Sequence, residues 1–385
     1  MRSVSIIGTG TTDFGILEGM SIKQMASLAC NRAIMDAGID RKRIQAFYLG
    51  NYIGGILVGQ ETLAPVVACE LGLSKTVPCS KTEGACCSAG IALRQGYLLI
   101  ASGVYDFVLV GGAEKMSSSS TAKNTEALAA GMDHDMEGYT GLTFPGYFGL
   151  MAHRHMYEYG TTIEQIAMVS VKNRQNAVSN PRARFRKATS LEEVLHSRLV
   201  TDPLKLFDCC PISDGGAAAV LCPTEIARNF TDKPIEILGS GHGLGHSTSY
   251  AMEGPSCTCT VYAAREAFQM AGVRPSDVDV AEIHDCFTIA EIVDSEDIGF
   301  FERGKGGPAV QEGLTQVDGT IPINTSGGLL SKGHPVGATG LGQVFEVVRQ
   351  LKGEHENQVK DPEIGLAMNL GASGLVSTVT IMRRI

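Results

Sequence analysis

The stretch Val4-Ser5-Ile6-Ile7-Gly8-Thr9-Gly10 returns later in the chain as Ile235-Glu236-Ile237-Leu238-Gly239-Ser240-Gly241. Each copy is typical of a short apolar strand that ends in a Gly-x-Gly turn. At nearly the same separation, residues 33–39 match residues 267–273, and each of these segments looks like a helix end stopped by glycine. Two copies of one α/β unit are the simplest interpretation of this repeat.

The rest of the chain fits the same duplicated plan. A helical stretch and a buried strand follow in each copy, at 91–102 and 106–110 in the first and at 341–351 and 364–368 in the second. Alternation of strands and helices predicts sheets that are covered by helices on both faces. We therefore predict an N-terminal half at 1–117 plus 205–231 and a C-terminal half at 232–385.

Residues 118–204 differ in character from both copies. They are rich in Ser, Met and His at first, then helical at 162–179, then basic, and they show no clear strand. We predict that they form an inserted domain that folds over the first copy.

Composition narrows the possible functions. The 385 residues carry a net charge of -9, which argues against a general nucleic-acid or anionic-membrane binder. No apolar run is long enough to span a membrane, and the apolar start is too short for a signal peptide. Eleven cysteines without a disulfide-scaffold pattern favour a reducing cytoplasm. Their spacing gives no zinc-site pattern, so we predict no metal.

Cys86 is the first candidate for chemistry. It lies in a loop rich in small residues, Glu83-Gly84-Ala85-Cys86-Cys87-Ser88, directly before a predicted helix. A thiol at a helix N-terminus has a lowered pKa, and the thiolate is the nucleophile. The alternative is a buried cysteine at a tight turn, because cysteine is commonly a small core residue.

Two further segments carry candidate acid–base groups. His284 and Cys286 follow an apolar strand, where α/β sheets place their sites, and they share a side if the chain stays extended. His334 is held in extended backbone by the following proline, within a glycine-rich loop. A strand-end histidine and a loop histidine without function remain the alternatives. Cys86, the pair His284 and Cys286, and His334 together indicate an active site more strongly than any one of them does. The reason is that packing of the duplicated halves would bring these corresponding positions together.

These motifs resemble the thiolase superfamily over essentially the whole chain. Glu83-Gly84-Ala85-Cys86, His284-Asp285-Cys286-Phe287 and Gly333-His334-Pro335 match the loops of sterol-carrier-protein-type and archaeal-type thiolases. The resemblance implies duplicated βαβαβαββ halves in a five-layered α-β-α-β-α sandwich, with an inserted loop domain. Common thiolases have Asn-Glu-Ala-Phe where this chain has 284–287, and Cys-x-Gly where it has Asn369-Leu370-Gly371. The resemblance therefore implies that Cys286 supplies the acid/base thiol.

The same resemblance implies a reaction. Cys86, deprotonated with the help of His334, attacks a 3-oxoacyl-CoA, and the enolate that leaves is stabilised by the two histidines and protonated by Cys286. Backbone N–H groups at Cys86 and near Gly371 hold the other oxyanion, and free CoA then takes the acyl group. Coenzyme A is thus a substrate, with no cofactor. The reverse Claisen condensation uses the same residues, and the 3-oxoacyl group (acetoacetyl, longer or aromatic) stays open.

Arg182, Arg184 and Arg186 are candidates for the CoA phosphates, although a solvated basic turn is the simpler interpretation. The resemblance implies a homodimer and a possible small zinc-ribbon/OB-fold partner subunit. The alternatives are a thiolase-fold carbon–carbon lyase, such as a retro-aldolase on an acyl-CoA side chain, and a non-catalytic scaffold subunit.

Overall fold

The computed structural model describes residues 1–248 and 254–385. Its strands are β1 Val4–Thr11, β2 Ala46–Gly50, β3 Cys79–Thr82, β4 Val108–Glu114, β5 Leu199–Thr201, β6 Leu204–Lys205, β7 Gly215–Pro223, β8 Ile235–Leu244, β9 Val280–Glu282, β10 Ile364–Gly371 and β11 Val376–Arg384. Its helices are α1 Ile22–Asp36, α2 Gly54–Val58, α3 Leu63–Glu70, α4 Ser88–Ala101, α5 Thr121–Ala129, α6 Phe144–Tyr159, α7 Ile163–Ala177, α8 Leu191–Leu195, α9 Thr224–Ala227, α10 Thr258–Ala271, α11 Thr288–Ile298, α12 Gly306–Gln311, α13 Gly328–Ser331 and α14 Thr339–Lys352.

The predicted duplication is visible in the strand order. Nine strands run β3-β2-β4-β7-β1 through the first copy and β8-β11-β10-β9 through the second. Ile323 pairs in parallel with Ala281 of β9, at the place that β3 holds in the first copy. The copies join through their first strands, because residues 4–6 of β1 pair antiparallel with 235–237 of β8. The sheets are mixed, with β2, β3 and β4 parallel and β7 antiparallel to its neighbours.

Three large apolar cores hold five layers together, one on the outer side of each half of the sheet and one between the halves. In β4, Leu109 faces a core shared with α1 and α3, whereas Val108 and Val110 face a core shared with α4 and α14. In β10, Ala367 joins that central core, whereas its neighbours face α10 and α11. The alternation of strand side chains thus places α4 and α14 between the halves and the other helices outside. The predicted α-β-α-β-α sandwich is confirmed.

The Gly-x-Gly segments are interior to strands, so the predicted turns there are wrong. β1 continues to Thr11 and β8 to Leu244. A Cβ on Gly10 would lie 2.3 Å from the Ala29 carbonyl oxygen of α1, and one on Gly241 would lie 1.8 Å from the Ala263 oxygen of α10. Glycine is required in both copies because a helix backbone rests directly on the strand.

The helices begin and end largely as their sequences predict. Ser21 accepts a hydrogen bond from the Gln24 backbone N–H and starts α1 with a capping box. Gly38 and Gly272 follow α1 and α10 with φ of +62° and +67°, which confirms them as helix-terminating glycines.

The inserted residues pack on the second copy, and the prediction that they cover the first is wrong. Phe148 of α6 and Ile166 and Val169 of α7 are buried in the core that also contains Ile289 of α11. Fewer inserted residues lie toward the first copy: Ala127 of α5 packs near Ile53, and the Arg182 carbonyl accepts from the Phe14 N–H (3.0 Å). The segment also contains β5, which pairs with β6, although no strand was expected there. Over the described ranges, no helix has both the length and the apolar character needed to cross a membrane.

Candidate active site

A cavity of about 470 Å³ opens where the two halves and the inserted segment meet. It brings together all four side chains that the sequence predicts as catalytic. Its lining includes Cys86, His284, Cys286 and His334. Apolar groups from the inserted segment and its flanks form much of the remaining wall, among them Met116, Leu128, Phe144, Phe148, Leu206 and Phe207.

Cys86 lies in a single 3-10 turn, Ala85–Cys87, between β3 and α4. Ala85 has φ of +51°, a left-handed conformation that costs energy for a residue with a Cβ. The turn is held because the Ser88 hydroxyl donates to the Ala85 carbonyl (2.6 Å) and accepts from the Gly84 N–H (3.1 Å). The thiol is thus presented to the cavity while Cys86 as a whole is only 8% exposed.

Burial raises the pKa of the Cys86 thiol, with smaller contributions from Cys87 and the Glu114 carboxylate. The sequence-based expectation of a lowered pKa is therefore wrong, because desolvation outweighs the pull of the helix N-terminus. The thiol stays protonated until a base removes its proton.

His334 is oriented by a threonine. Its Nδ1 lies 2.7 Å from the Thr339 hydroxyl, which itself donates to the Pro335 carbonyl (3.1 Å). A hydroxyl has one proton to give, so it must accept from the Nδ1–H of His334. The Nε2 of His334 is then an unprotonated acceptor. Burial lowers the pKa of His334 to about 3, so the ring is neutral near pH 7.

His284 follows β9 and has a different partner. The Asn369 side-chain Nδ2 lies 3.2 Å from the Nδ1 of His284, with the amide donating to the ring. Burial, and to a lesser degree His334, hold the pKa of His284 well below its usual value. Cys286 lies two residues further on, and burial raises the pKa of its thiol.

The reactive groups converge. The Cys86 sulfur and one nitrogen each from His284 and His334 all lie within 4.8 Å of one another. The two imidazoles meet edge to face, with ring centroids 5.0 Å apart and planes 82° apart. A sulfur and two imidazole nitrogens are also the ligands that zinc accepts. As neutral groups around a cavity, they are arranged for proton transfer and for binding a developing oxyanion.

Gly371 ends β10 against the nucleophile turn. A Cβ at this position would lie 2.3 Å from the Gly84 carbonyl oxygen. The next residue, Ala372, has φ of +56° and lines the cavity. The backbone at Gly371 is therefore adjacent to both the turn and the cavity.

The three arginines predicted to bind the CoA phosphates lie in different environments. Arg184 lines the cavity, whereas Arg182 pairs with Glu356 (2.9 Å) and Glu346 (3.5 Å), and Arg186 is exposed outside the lining. Two arginines that the sequence analysis missed, Arg174 and Arg198, share the cavity wall with Arg184. Nothing in the sequence singles out Arg174, whereas Arg198 lies close enough to the basic run to have been included.

Family models match most of the chain. The family described as "Thiolase, N-terminal domain" matches residues 4–225, and "Thiolase C-terminal domain-like" matches residues 241–384. The gap between the two matches, residues 226–240, contains the link between the copies and the first part of β8.

Named proteins and a solved structure agree with these matches. The chain is 45% identical to an acetyl-CoA acetyltransferase of Methanothermobacter thermautotrophicus, with 100% of both chains covered. It is 36% identical to sterol carrier protein 2 of Bos taurus, covering 97% of this chain and 71% of that protein. The solved structure of the "Ltp2-ChsH2(DUF35) aldolase" is 28% identical with a TM-score of 0.87, covering 99% of this chain and 97% of that chain. This chain therefore belongs to the thiolase family.

Proposed function

We propose that this acyltransferase cleaves a 3-oxoacyl-CoA with free CoA, or runs the reverse Claisen condensation, through an acyl-enzyme on Cys86. The observation that carries the proposal is the convergence of the Cys86 sulfur with His284 and His334 within 4.8 Å at one cavity. The identity of 45% to an acetyl-CoA acetyltransferase makes acetoacetyl-CoA the substrate of first choice.

The first half-reaction follows from the proton positions. The Nε2 of His334 removes the proton of the Cys86 thiol, and the thiolate adds to the 3-oxo carbon. The Cα–Cβ bond then breaks, which leaves the acyl group on Cys86 and an enolate thioester. The enolate oxygen accepts from the Nε2–H of His284, and the Cys286 thiol protonates the enolate carbon.

The second half-reaction returns the enzyme to its starting state. The Cys286 thiolate takes the proton of the incoming CoA thiol, and the CoA sulfur attacks the acyl-enzyme. The Cys86 thiolate leaves and recovers its proton from His334. We place the oxyanion of each tetrahedral intermediate at backbone N–H groups of Cys86 and near Gly371, where β10 meets the nucleophile turn.

We assign the phosphate end of CoA to Arg174, Arg184 and Arg198. None of them has a carboxylate within salt-bridge distance among the described residues, so their guanidinium groups remain available to bind phosphate on the cavity wall. Guanidinium groups bind phosphate through paired, charge-assisted hydrogen bonds.

A carbon–carbon lyase is the second candidate function. A solved structure with the same fold is named an aldolase, and retro-aldol cleavage on an acyl-CoA needs no acyl-enzyme. The placement of Cys86 between two imidazoles favours the thiolase reaction. The convergence of these three groups at a cavity that Cys286 also lines disfavours a scaffold without activity.

We also propose two partners. A homodimer through the first copy is supported by the edge strand β3, which has no neighbour on its outer side in the described sheet. A small zinc-ribbon/OB-fold subunit is supported by the similar structure, whose name includes a second component, ChsH2(DUF35). Sedimentation of the purified protein, alone and with a candidate subunit, tests both.

Intact-protein mass spectrometry tests the function. Wild-type protein mixed with acetoacetyl-CoA should gain one acetyl group on Cys86, and free CoA should remove it. Cys86→Ala should gain none. Absence of the acyl group with short, long and aryl 3-oxoacyl-CoA esters alike would overturn the proposal, whereas CoA-independent cleavage of a β-hydroxyacyl-CoA would favour the lyase.

A further inference from the structure

We propose that Asn369 is a positioning residue that keeps the proton of His284 on Nε2, so that this ring can only donate into the cavity. The inference rests on the proposed thiolase function. It explains how two imidazoles with centroids 5.0 Å apart can have opposite roles in one cavity, His334 as a proton acceptor and His284 as a hydrogen-bond donor.

The hydrogen bond between the two side chains carries the inference. Asn369 is 3% exposed and lies in β10, and its Nδ2 is 3.2 Å from the Nδ1 of His284. An NH₂ group has no lone pair to offer, so Nδ1 must be the acceptor and the ring proton must be on Nε2. Thr339 imposes the opposite form on His334, whose Nδ1 has the proton.

The orientation of the Asn369 amide has its own physical cause. Its oxygen faces the first turns of α4 and α14: a Cβ on Gly340 would lie 2.3 Å from Oδ1, and one on Gly90 would lie 3.1 Å away. Both glycines belong to helix N-termini, where free N–H groups create a positive potential. The amide oxygen is therefore attracted to the two helix ends, although it makes no hydrogen bond among the described residues, and the NH₂ is turned to the histidine.

The backbone of Asn369 is also held in place. The Cys87 thiol lies 3.1 Å from the Asn369 carbonyl oxygen, as donor, and 3.4 Å from the Thr378 hydroxyl. Asn369 pairs with Thr378 between β10 and β11. Cys87, to which the sequence assigned no role, thus links the nucleophile turn to the residue that orients His284.

The consequence for the reaction is specific. With its proton on Nε2, His284 stabilises the negative charge that develops on the enolate oxygen. With its proton on Nδ1, it would present a lone pair to that oxygen and repel it. Asn369→Asp creates this second form, because a carboxylate accepts the Nδ1–H instead of donating to Nδ1.

Nitrogen NMR of protein labelled with ¹⁵N-histidine tests the assignment. In the wild type we expect the His284 ring to show a protonated Nε2 and an unprotonated Nδ1, with His284→Gln used to assign its signals. In Asn369→Asp the proton should move to Nδ1, while the His334 signals stay unchanged as an internal reference. Asn180→Asp is the matched control, because Asn180 is equally buried but donates to the Ser326 carbonyl instead of a ring.

Kinetics give the second readout. We expect kcat of Asn369→Asp to fall about 10²-fold, the loss typical of an oxyanion donor, with KM for acyl-CoA nearly unchanged. A wild-type spectrum with the His284 proton on Nδ1 would overturn the inference even if Asn369→Asp failed to fold. Unchanged signals and kcat in a folded Asn369→Asp would also overturn it. An acyl group on wild-type Cys86 in the same preparation shows that the proposed function stands independently.

Discussion

The carboxylate of Asp285 accepts a hydrogen bond from the backbone N–H of Leu329, at 2.7 Å, and a second from Leu330, at 3.2 Å. The side chain is fully buried, and Asn173 of α7 donates to it as well (2.7 Å). Asp285 thus ties the loop that carries His284 and Cys286 to α13, the helix that leads into His334.

Asp285→Asn should therefore affect both stability and catalysis. One of its oxygens becomes an NH₂ that faces N–H groups, which leaves buried donors unpaired at a cost of about 1–3 kcal/mol. We expect a lower free energy of unfolding and at least a tenfold loss of kcat as both loops shift. Urea denaturation and steady-state kinetics measure the two effects.

Asp279→Asn is the matched control, because Asp279 also accepts from two backbone N–H groups, those of Glu363 and Ile364, but at the opposite end of β9. Both N–H groups donate to the same oxygen, Oδ2, which an amide can keep, so this variant should change stability little and kcat not at all. Equal losses of kcat in the two variants would contradict a specific link between the catalytic loops.

Much of the fold was predictable because the chain repeats itself. The duplicated plan and the helix-terminating glycines follow from matching segments of the two copies, and Cys86 meets His334 as expected if corresponding positions come together. The Gly-x-Gly segments were misjudged because glycine marks both turns and strands against which a helix packs closely. The prediction that residues 118–204 cover the first copy was also wrong. An apolar helix face predicts that the helix is buried, but it does not show which part of the protein buries it.

The residues of the candidate site could be predicted from the sequence, but their pKa values could not. Each motif indicates a reactive side chain. The pKa of Cys86, however, depends on burial by residues distant in sequence, among them Met116 and Ile53. His284 and Asn369 are both residues at which this chain differs from common thiolases. Nothing in the sequence connects the two differences. Only the fold shows them in contact, because β9 and β10 are neighbouring strands.

Thr339→Val should impair deprotonation of Cys86. The variant removes the hydroxyl that accepts from His334 Nδ1, so the ring loses its preference for an unprotonated Nε2. We expect kcat to fall about 10²-fold and Cys86 to react more slowly with iodoacetamide at neutral pH, since its base is weakened. Thr339→Ser keeps the hydroxyl and should retain most of both rates. Comparable losses in Val and Ser variants would show that packing, not proton placement, is the role of Thr339.

Arg184→Ala and Arg198→Ala should weaken CoA-ester binding. Each loses a charged hydrogen-bond donor to phosphate, so KM for acetoacetyl-CoA should rise about tenfold or more, and less at high salt. The corresponding pantetheine thioester lacks those phosphates, and its KM should change little in either variant.

Arg182→Ala separates this binding role from a structural one. Arg182 is occupied by Glu346 and Glu356, so its loss should lower stability and leave KM for the CoA ester unchanged. A rise in KM for Arg182→Ala that matches the rise for Arg184→Ala would instead restore the grouping expected from the sequence.

Glu114→Gln should change how stability depends on pH. Glu114 is fully buried near Cys86, and burial raises its pKa from 4.5 to about 7, although it accepts from Tyr52 N–H and Asn51 Nδ2. Between these two values the folded protein binds a proton that the unfolded chain has lost, so this group makes stability fall as pH rises from about 4.5 to about 7. The full effect is about 3 kcal/mol.

The Gln variant has no proton to exchange, so this part of the pH slope should be absent from urea denaturation curves measured across the same range. Its Cys86 should also react with iodoacetamide at lower pH than in the wild type, because the Glu114 carboxylate raises the pKa of the Cys86 thiol. Identical slopes in the two proteins would mean that Glu114 is already ionised well below pH 7. The buried carboxylate would then repel the Cys86 thiolate throughout the neutral range.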